Sequence, residues 1–395
     1  MDLLFLAHRA PFPPNRGDRI RSFHVLRHLA ARARVHLVAF ADTAEEAAVA
    51  PELQALTASC TIVHRRNSRA VAAVEALATG RPVSLTAFAD PVLSRAVAAV
   101  IETQSIEATY CFSGQMAQYL RRIPRTIMDF VDVDSAKFAA LGEHGAPPLR
   151  WLMRREARLL GAFERQVAAR ADATLFVSEA EAALFRKAGG RGHVLAVENG
   201  IDTAHFDPAS VAPRAVGAPT IVFTGQMDYA PNIQAVTWFA DVVLPLVHQR
   251  HPDARFAIVG RAPTTAVRRL SGEHVEVSGE VPDTRPWLAG AALCVAPLSL
   301  ARGIQNKVLE AMAMARPVVA TSAAAEGIDH AGTIAVADGG EAFAAAVTAL
   351  LGDRAAGDSL GSRARAQTIR RYGWDTRLAP LDRLLFPDTD AAAAA

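Results

Sequence analysis

The chain has 395 residues, 51% of them apolar and 21% charged, with 42 basic against 40 acidic side chains. That length exceeds one ordinary core and suits two domains, and the composition excludes a disordered chain. The near balance of charge gives no nucleic-acid signature, so no nucleic-acid partner is expected.

Charge is spread unevenly. Through residue 215 there are 26 Lys and Arg against 22 Asp and Glu, and the remainder carries 16 against 18, so the halves point to different partners. Cys60, Cys111 and Cys294 lie far apart in apolar runs. They read as small buried hydrophobes in a reducing compartment, not as a disulfide or metal set. The N-terminal apolar run is too short for a secretory signal, and no apolar run approaches the roughly 18 residues that span a bilayer. A cytoplasmic protein is expected.

Strand-like runs alternate with helix-like runs. The first seven strands are expected at Leu3–Ala7, Val35–Phe40, Thr61–His64, Ala108–Phe112, Thr126–Phe130, Ala173–Val177 and Val194–Val197. Six more follow at Thr220–Thr224, Arg255–Val259, Val275–Ser278, Ala292–Ala296, Pro317–Thr321 and Thr333–Val336. Such alternation predicts parallel sheets covered by helices on both faces. The pattern breaks at residues 207–219, "DPASVAPRAVGAP", which read as an interdomain linker. The expected domains are 1–206 and 220–372, then a helix over 373–386 and a frayed tail at 387–395. The class is α/β: two doubly wound Rossmann-like domains facing across a cleft, with ligands at the carboxyl ends of the strands. There is neither a P-loop nor a GxGxxG after the first strand.

The strand-end loops carry the candidate chemistry. In "HRAPFPPNRGDRIR", Gly17 permits close backbone approach, Asp18 is a candidate helix N-cap, and Arg16, Arg19 and Arg21 beside a helix start suggest an anion site. "MDFVDVDSAKF" groups Asp129, Asp132 and Asp134, either as helix caps or as contacts to a sugar hydroxyl; the spacing is not that of a calcium loop. "FTGQMDYAPN" puts Gly225 at a strand end and Pro231 near the next helix start. In "LSLARGIQNKVLEAMAMARPVVAT", a helix is expected from Gly303 to Met314, so Gly303, Ile304 and Gln305 would offer free N–H groups. Lys307 in its first turns opposes the helix dipole, which makes sense if an anion binds there. Glu310, alone in an apolar run, needs a partner; a ribose diol is a good one.

These residues, in this order, resemble the retaining glycosyltransferases of family 4 with the GT-B fold. The resemblance rests on Gly17, on "NGID…F" (Asn199, Gly200, Asp202, Phe206), on Gly225, on "LEAMAMARPVVAT" with "EGI", and on "YGWDTRLAPLDRLL", like the family's helix that crosses back to the first domain. "DFVDVDSAKF", "FTGQMDYAPN" and "ARGIQNKVLEAMAMARPVVA" resemble, more narrowly, the sugar transferases associated with exosortase/PEP-CTERM exopolysaccharide loci. The resemblance implies metal-independent hexosyl transfer with retention, from a nucleotide-diphosphate sugar co-substrate and with no cofactor, to a saccharide or lipid-linked saccharide acceptor. It implies that Glu310 holds the donor ribose. It also exposes departures: Arg302 stands where the family has a glutamate, and neutral Gln226 and Asn232 stand where it has an Arg and a Lys for the diphosphate. Arg302 and Lys307 are therefore expected to replace that pair, with Arg302 facing an acidic donor sugar as the rival. Arg302, Lys307 and Gly17 are the catalytic candidates. Glu310, Gly303, Ile304, Gln305, Asn306, Gly225, Gln226 and Arg261 are those for the donor, and Arg16, Asp18, Arg19, Asp129 and Asp132 those for the acceptor side. No metal ligands are expected.

Two rival readings are a nucleotide-sugar epimerase of the same fold and a nucleotide-sugar-binding protein without catalysis. Residues 149–170 form a further candidate. Arg150, Arg154 and Arg158 share one helix face, and Leu149, Leu152, Met153, Leu159, Leu160 and Phe163 gather on the rest. The segment reads either as a basic amphipathic helix on an anionic membrane, giving peripheral attachment at the inner face of the cytoplasmic membrane, or as a helix whose apolar stripe packs on its own domain.

Overall fold

The structure, a computed structural model, describes residues 1–386 apart from 15, 16, 44, 45, 47, 49, 66–68, 144, 145, 216, 302 and 303. It divides into two units, Met1–Asn199 joined by the chain from Arg377, and Gly200–Thr376.

The first unit is built on a seven-stranded sheet in the order β3-β2-β1-β4-β5-β6-β7. Its strands are β1 (Asp2–Ala7), β2 (Arg34–Ala41), β3 (Ser59–His64), β4 (Ile106–Phe112), β5 (Arg125–Val131), β6 (Ala173–Phe176) and β7 (Val194–Ala196). Every pairing is parallel. The helices that matter below are α1 (Gly17–Ala30), α2 (Arg69–Thr79), α3 (Asp134–Leu141) and α4 (Pro147–Ala168). Strands covered on both faces require continuous apolar runs, and Leu3 to Ala7 and Leu37 to Ala41 are almost wholly excluded from solvent.

The second unit has six parallel strands in the order β10-β9-β8-β11-β12-β13. These are β8 (Thr220–Thr224), β9 (Arg255–Val259), β10 (Val275–Gly279), β11 (Leu293–Ala296), β12 (Val318–Ala320) and β13 (Ala335–Val336), with helices α5 (Ala230–Trp238) and α6 (Asn306–Ala313). All thirteen expected strands form. The strand order reverses between β1 and β4 in one sheet and between β8 and β11 in the other, and such reversals are where doubly wound sheets hold ligands.

Two expectations change. The run Ala230–His248 is long and apolar enough by length and hydropathy to cross a membrane, contrary to the sequence reading. Its Val236, Phe239, Val243, Leu244 and Val247 are buried in the core of the second unit, as in a core helix. The expected linker is docked rather than free at Asp207 and Arg214. Arg214 pairs with Glu276 and lies over the Trp287 ring, and Asp207 pairs with Arg365. The division falls instead at Asn199, because Gly200 onward packs on the second unit; a Cβ on Gly200 would lie 2.7 Å from the Trp374 backbone. The C-terminal helix α7 (Trp374–Leu385) belongs to the first unit from Arg377 onward. There Asp382 pairs with His28 and Arg32, and the Leu385 carbonyl accepts from Arg125.

At α4 the structure agrees with the second of the two readings that the sequence offered. Leu160 is buried and Leu152, Met153, Leu159 and Phe163 are half-buried, so the apolar stripe packs on its own unit. Glu156 and Glu164 also point inward. Glu156 accepts from the Val83 and Ser84 backbone amides at 2.7 and 2.8 Å, and Glu164 accepts from the Ser135 amide at 3.1 Å. Both cap the starts of neighbouring helices, where orphan N–H groups favour a carboxylate. Burial pushes the Glu164 carboxyl up to about 7, against the pull of the Ser135 bonds.

Candidate functional site

A cavity of about 550 Å³ opens in the second unit at the β8/β11 reversal. Thr224, Gly225, Gln226, Tyr229 and Asn232 after β8 form one wall, Gly260 and Arg261 after β9 another, and Glu280, Val281 and Thr284 after β10 a third. Ile304, Gln305, Asn306, Lys307 and Glu310, at the start of α6, close it. A cavity of similar size, lined by Thr220, Ala292 and Arg316, lies at the opposite ends of the strands, away from the edge such sheets use.

Backbone geometry forms the floor. The Gly225 amide donates to Val259 at 3.0 Å and the Met227 amide to Arg261 at 2.9 Å. A Cβ on Gly260, whose φ is +151°, would sit 1.7 Å from the Gly225 carbonyl oxygen, so only glycine fits. A Cβ on Gly225 would lie 2.8 Å from Asn232 Nδ2 and 3.3 Å from Lys307 Nζ. Gly225 therefore leaves room for the ammonium of Lys307, which donates to Asn232 Oδ1 at 2.6 Å and stands 4.1 Å from the Phe223 ring centroid. Asn232 is fixed in turn by donating to the Gln226 carbonyl at 2.9 Å, and Arg261 donates to Gln226 Oε1 at 2.9 Å.

Lys307 thus reaches, from α6, the neighbourhood of the neutral Gln226 and Asn232. Burial lowers its pKa to about 8, with the negative charge of Glu310 opposing. Burial likewise raises Glu310 to about 7, with Lys307 opposing. The Glu310 carboxylate makes no hydrogen bond and no ion pair within 4 Å among the described residues. A half-buried carboxylate without a donor is costly and is suited to accept from a ligand hydroxyl.

The helix starts later than expected: Gln305 is its extended N-cap residue and Asn306 its first residue. Ile304 and Gln305 are therefore in the approach to the helix, not its first turn. Arg302 and Gly303 lie outside the described residues, as does Arg16.

The first-unit candidates are more tied down than the sequence suggested. Arg19 is buried and ion-paired with Glu46, because a buried cation needs a carboxylate. Asp18 lies within α1 instead of capping it and pairs with His8 at 3.4 Å and with Arg9. The His8 bond, with Arg9 adding to it, holds its carboxyl well below the usual carboxylate range against the cost of burial. Asp129 is fully buried, not facing an acceptor. It accepts from Arg21 Nε at 2.9 Å and from the Tyr110 hydroxyl at 2.6 Å. Arg21 spends another nitrogen on the Val197 carbonyl at 2.7 Å and Asn199 Oδ1 at 3.0 Å. Burial opposes its charge, and Asp129 overrides that. Asp132 is half-exposed and pairs with Lys137 at 2.7 Å. Gly17 is exposed, and a Cβ there would meet nothing within 4 Å, so packing does not demand the glycine. Among the described residues no three His, Cys, Asp or Glu side chains group as a metal site. Cys111 and Cys294 are buried and Cys60 half-buried, all unbonded.

Sequence reasoning missed Gly260, the Asn232 tether of Lys307, and the Arg21–Asp129–Tyr110 cluster. Gly-Arg directly after the β9 run was the available signal for the first.

Residues 218–353 match the family model described as Glycosyl transferases group 1, a span that contains the whole cavity. No curated protein sequence matches the chain. Among solved structures, the chain is similar to HepE of Anabaena in complex with UDP, at 16% identity and a TM-score of 0.58 over 100% of both chains. It is similar to a sucrose-phosphate synthase from Thermosynechococcus elongatus at 15% identity and a TM-score of 0.60, again over 100% of both. A glycosyltransferase from Rickettsia africae matches at 13% identity and a TM-score of 0.62 over 98% of both chains. The fold is GT-B, and together with the group 1 match over the second unit it supports a glycosyltransferase.

Proposed function

We propose that the protein is a retaining glycosyltransferase of family 4 that moves a hexosyl group from a nucleoside-diphosphate sugar to a hydroxyl acceptor. The observation that carries this reading is the ammonium of Lys307, held by Asn232 beside Gly225, in one cavity with the unpartnered carboxylate of Glu310. That pairing suits a nucleoside diphosphate. Glu310 accepts from the ribose hydroxyls, and Lys307, with Arg261 from the neighbouring wall, takes the diphosphate. HepE was solved with UDP-glucose as well as UDP, which makes UDP-sugars the first donors to try.

Charge at the leaving group is the chemistry these residues supply. As the glycosidic bond to the diphosphate breaks, negative charge builds on its oxygens, and a pre-placed ammonium stabilises it without reorganisation. Arg302 adds to that charge, and Gly17 lets the acceptor side approach closely. The first unit takes the acceptor, a saccharide or lipid-linked saccharide, and the setting is exopolysaccharide assembly of the exosortase/PEP-CTERM type at the inner face of the cytoplasmic membrane. Lys307 and Arg261 take the place of a metal, and no cofactor takes part.

The test is a panel of nucleotide sugars incubated with and without saccharide acceptors, with release of nucleoside diphosphate followed and the product anomer read by NMR. Acceptor-dependent release with retained configuration is expected and should survive EDTA. Release of nucleotide without an acceptor dependence, alongside a changed sugar, would instead establish an epimerase. Tight binding without turnover of any donor would leave a binding protein.

A further inference from the structure

The first unit carries a surface that the donor cavity does not use. Helix α4 has five arginines, Arg150, Arg154, Arg155, Arg158 and Arg165, and two acids, Glu156 and Glu164, both buried and committed to backbone amides. The outward side of α4 therefore has only positive charge. At its N-terminal half Arg150, Arg154, Arg155 and Arg158 line a hollow of about 360 Å³ with Pro147 and Trp151. The Nε of Arg150 is buried there without a hydrogen-bond partner.

Exposed apolar side chains stand on α4 and on the two helices bonded to it. Leu149 and Trp151 on α4, Leu141 at the end of α3, and Val71, Val74 and Leu77 on one face of α2 are each more than half exposed. The three helices are joined at this place. Arg154 Nε donates to the Gly142 carbonyl next to Leu141 at 3.1 Å, and Arg155 Nη2 donates to the Ala76 carbonyl next to Leu77 at 2.7 Å. The acids nearby, Glu75 and Glu143, are outnumbered. Soluble surfaces rarely group this many exposed large apolar side chains.

We propose that this composite face docks on an anionic bilayer: the arginines take lipid phosphates, and Trp151, Leu149, Leu141, Val74 and Leu77 enter the interface. Charge complementarity selects the partner. Four arginines without an accessible carboxylate among them suit a continuous anionic surface, and the apolar rim suits the headgroup–acyl boundary. The surface differs from the amphipathic helix read in the sequence, because the apolar stripe of α4 is spent on its own unit and α2 and α3 supply the inserted residues. The proposal stands apart from the donor site.

The experiment is co-sedimentation of the full chain with vesicles of phosphatidylcholine alone or with phosphatidylglycerol, at low and high salt. Binding to the anionic vesicles only, lost at high salt, is expected. Arg150→Gln, Arg154→Gln and Arg158→Gln together should lower partition about a hundredfold, from roughly 1 kcal/mol per arginine. Arg158→Glu, at an exposed position without a described partner, should lower it in a chain that folds normally. Val74→Ser with Leu77→Ser should lower it about tenfold while leaving salt sensitivity in place. UDP affinity and the melting temperature serve as folding controls. Equal binding to both vesicles, no binding to anionic vesicles at low salt, or unchanged partition of Arg158→Glu and the serine pair would overturn the proposal. So would displacement by millimolar inorganic phosphate but not by chloride at equal ionic strength, which would assign the hollow to a soluble phosphate.

Discussion

Replacing Lys307 by Met separates the cost of the buried ammonium from its use. Burial moves this group from 10.5 to about 8. At 1.36 kcal/mol for each tenfold change in proton affinity, that is roughly 3 kcal/mol of folding stability lost at pH 7, where the group is still charged. The loss is offset in part by the Asn232 hydrogen bond, about 1 kcal/mol, and by the Phe223 ring, about 1–2 kcal/mol. Methionine keeps the stem and drops the charge. Urea unfolding at pH 7 should therefore show a variant as stable as the parent or more stable by up to about 1 kcal/mol. Nucleotide binding should move the other way. A hydrogen bond to a charged group contributes roughly 1.5–3 kcal/mol, so calorimetry should show UDP weakened about 10- to 150-fold and uridine much less. In the parent, Lys307 loses its proton as pH rises through about 8, so the Kd for UDP should climb about tenfold per pH unit above that point. Equal losses for UDP and uridine, a variant destabilised by several kcal/mol, or a Kd flat from pH 7 to 9.5 would refute the assignment.

Other outcomes follow from the same geometry. Glu310→Gln should weaken uridine and UDP alike by about 1.5–3 kcal/mol; calorimetry with uridine alone decides it, and an unchanged affinity removes the ribose role. Gly225→Ala should displace Asn232 and Lys307 and weaken UDP with little change in melting temperature, whereas Gly260→Ala, with its 1.7 Å overlap on Gly225, should both unfold earlier and fail to bind. Arg21→Met should cost roughly 3–5 kcal/mol in denaturant unfolding, because it strands the Asp129 carboxylate inside the first unit. Glu164, raised to about 7 from 4.5 by burial, is favoured protonated in the fold. Its contribution is full below pH 4.5 and is lost as pH rises through about 7. Glu164→Gln should flatten the stability profile across that window.

The strands were legible because both-face burial writes them as continuous apolar runs, and the donor side was legible because Lys307 and Glu310 break rules on one helix: a cation at its start and a lone acid in an apolar run. The first-unit candidates misled for the opposite reason. Arg19 and Asp129 look like solvent-facing charges in their own segments, and their partners, Glu46 and Arg21, are 27 and 108 residues away. No local pattern reports such pairs. The start of α6 slipped by three residues because Gln305 stands at its N-cap in an extended conformation without a side-chain capping bond, leaving no Ser, Thr, Asp or Asn as a signal. The stripe on α4 had the right period, but period alone cannot say which surface covers it; Glu156 and Glu164, also inward, show that its own unit does.

The first unit is discontinuous in the chain, and that has a consequence for synthesis. Its sheet is complete once β7 has emerged at Ala196, but the pairs of Asp382 with His28 and Arg32, and the bond from Arg125 to the Leu385 carbonyl, form only once the C-terminal helix is made. A ribosome delivering residues in order would have to make the entire second unit before the first can close. During that interval a growing chain would expose the seat of its last helix. Truncation just before Arg377 should therefore harm the first unit rather than the second, and chaperone engagement on the nascent chain should persist until Leu385 has emerged.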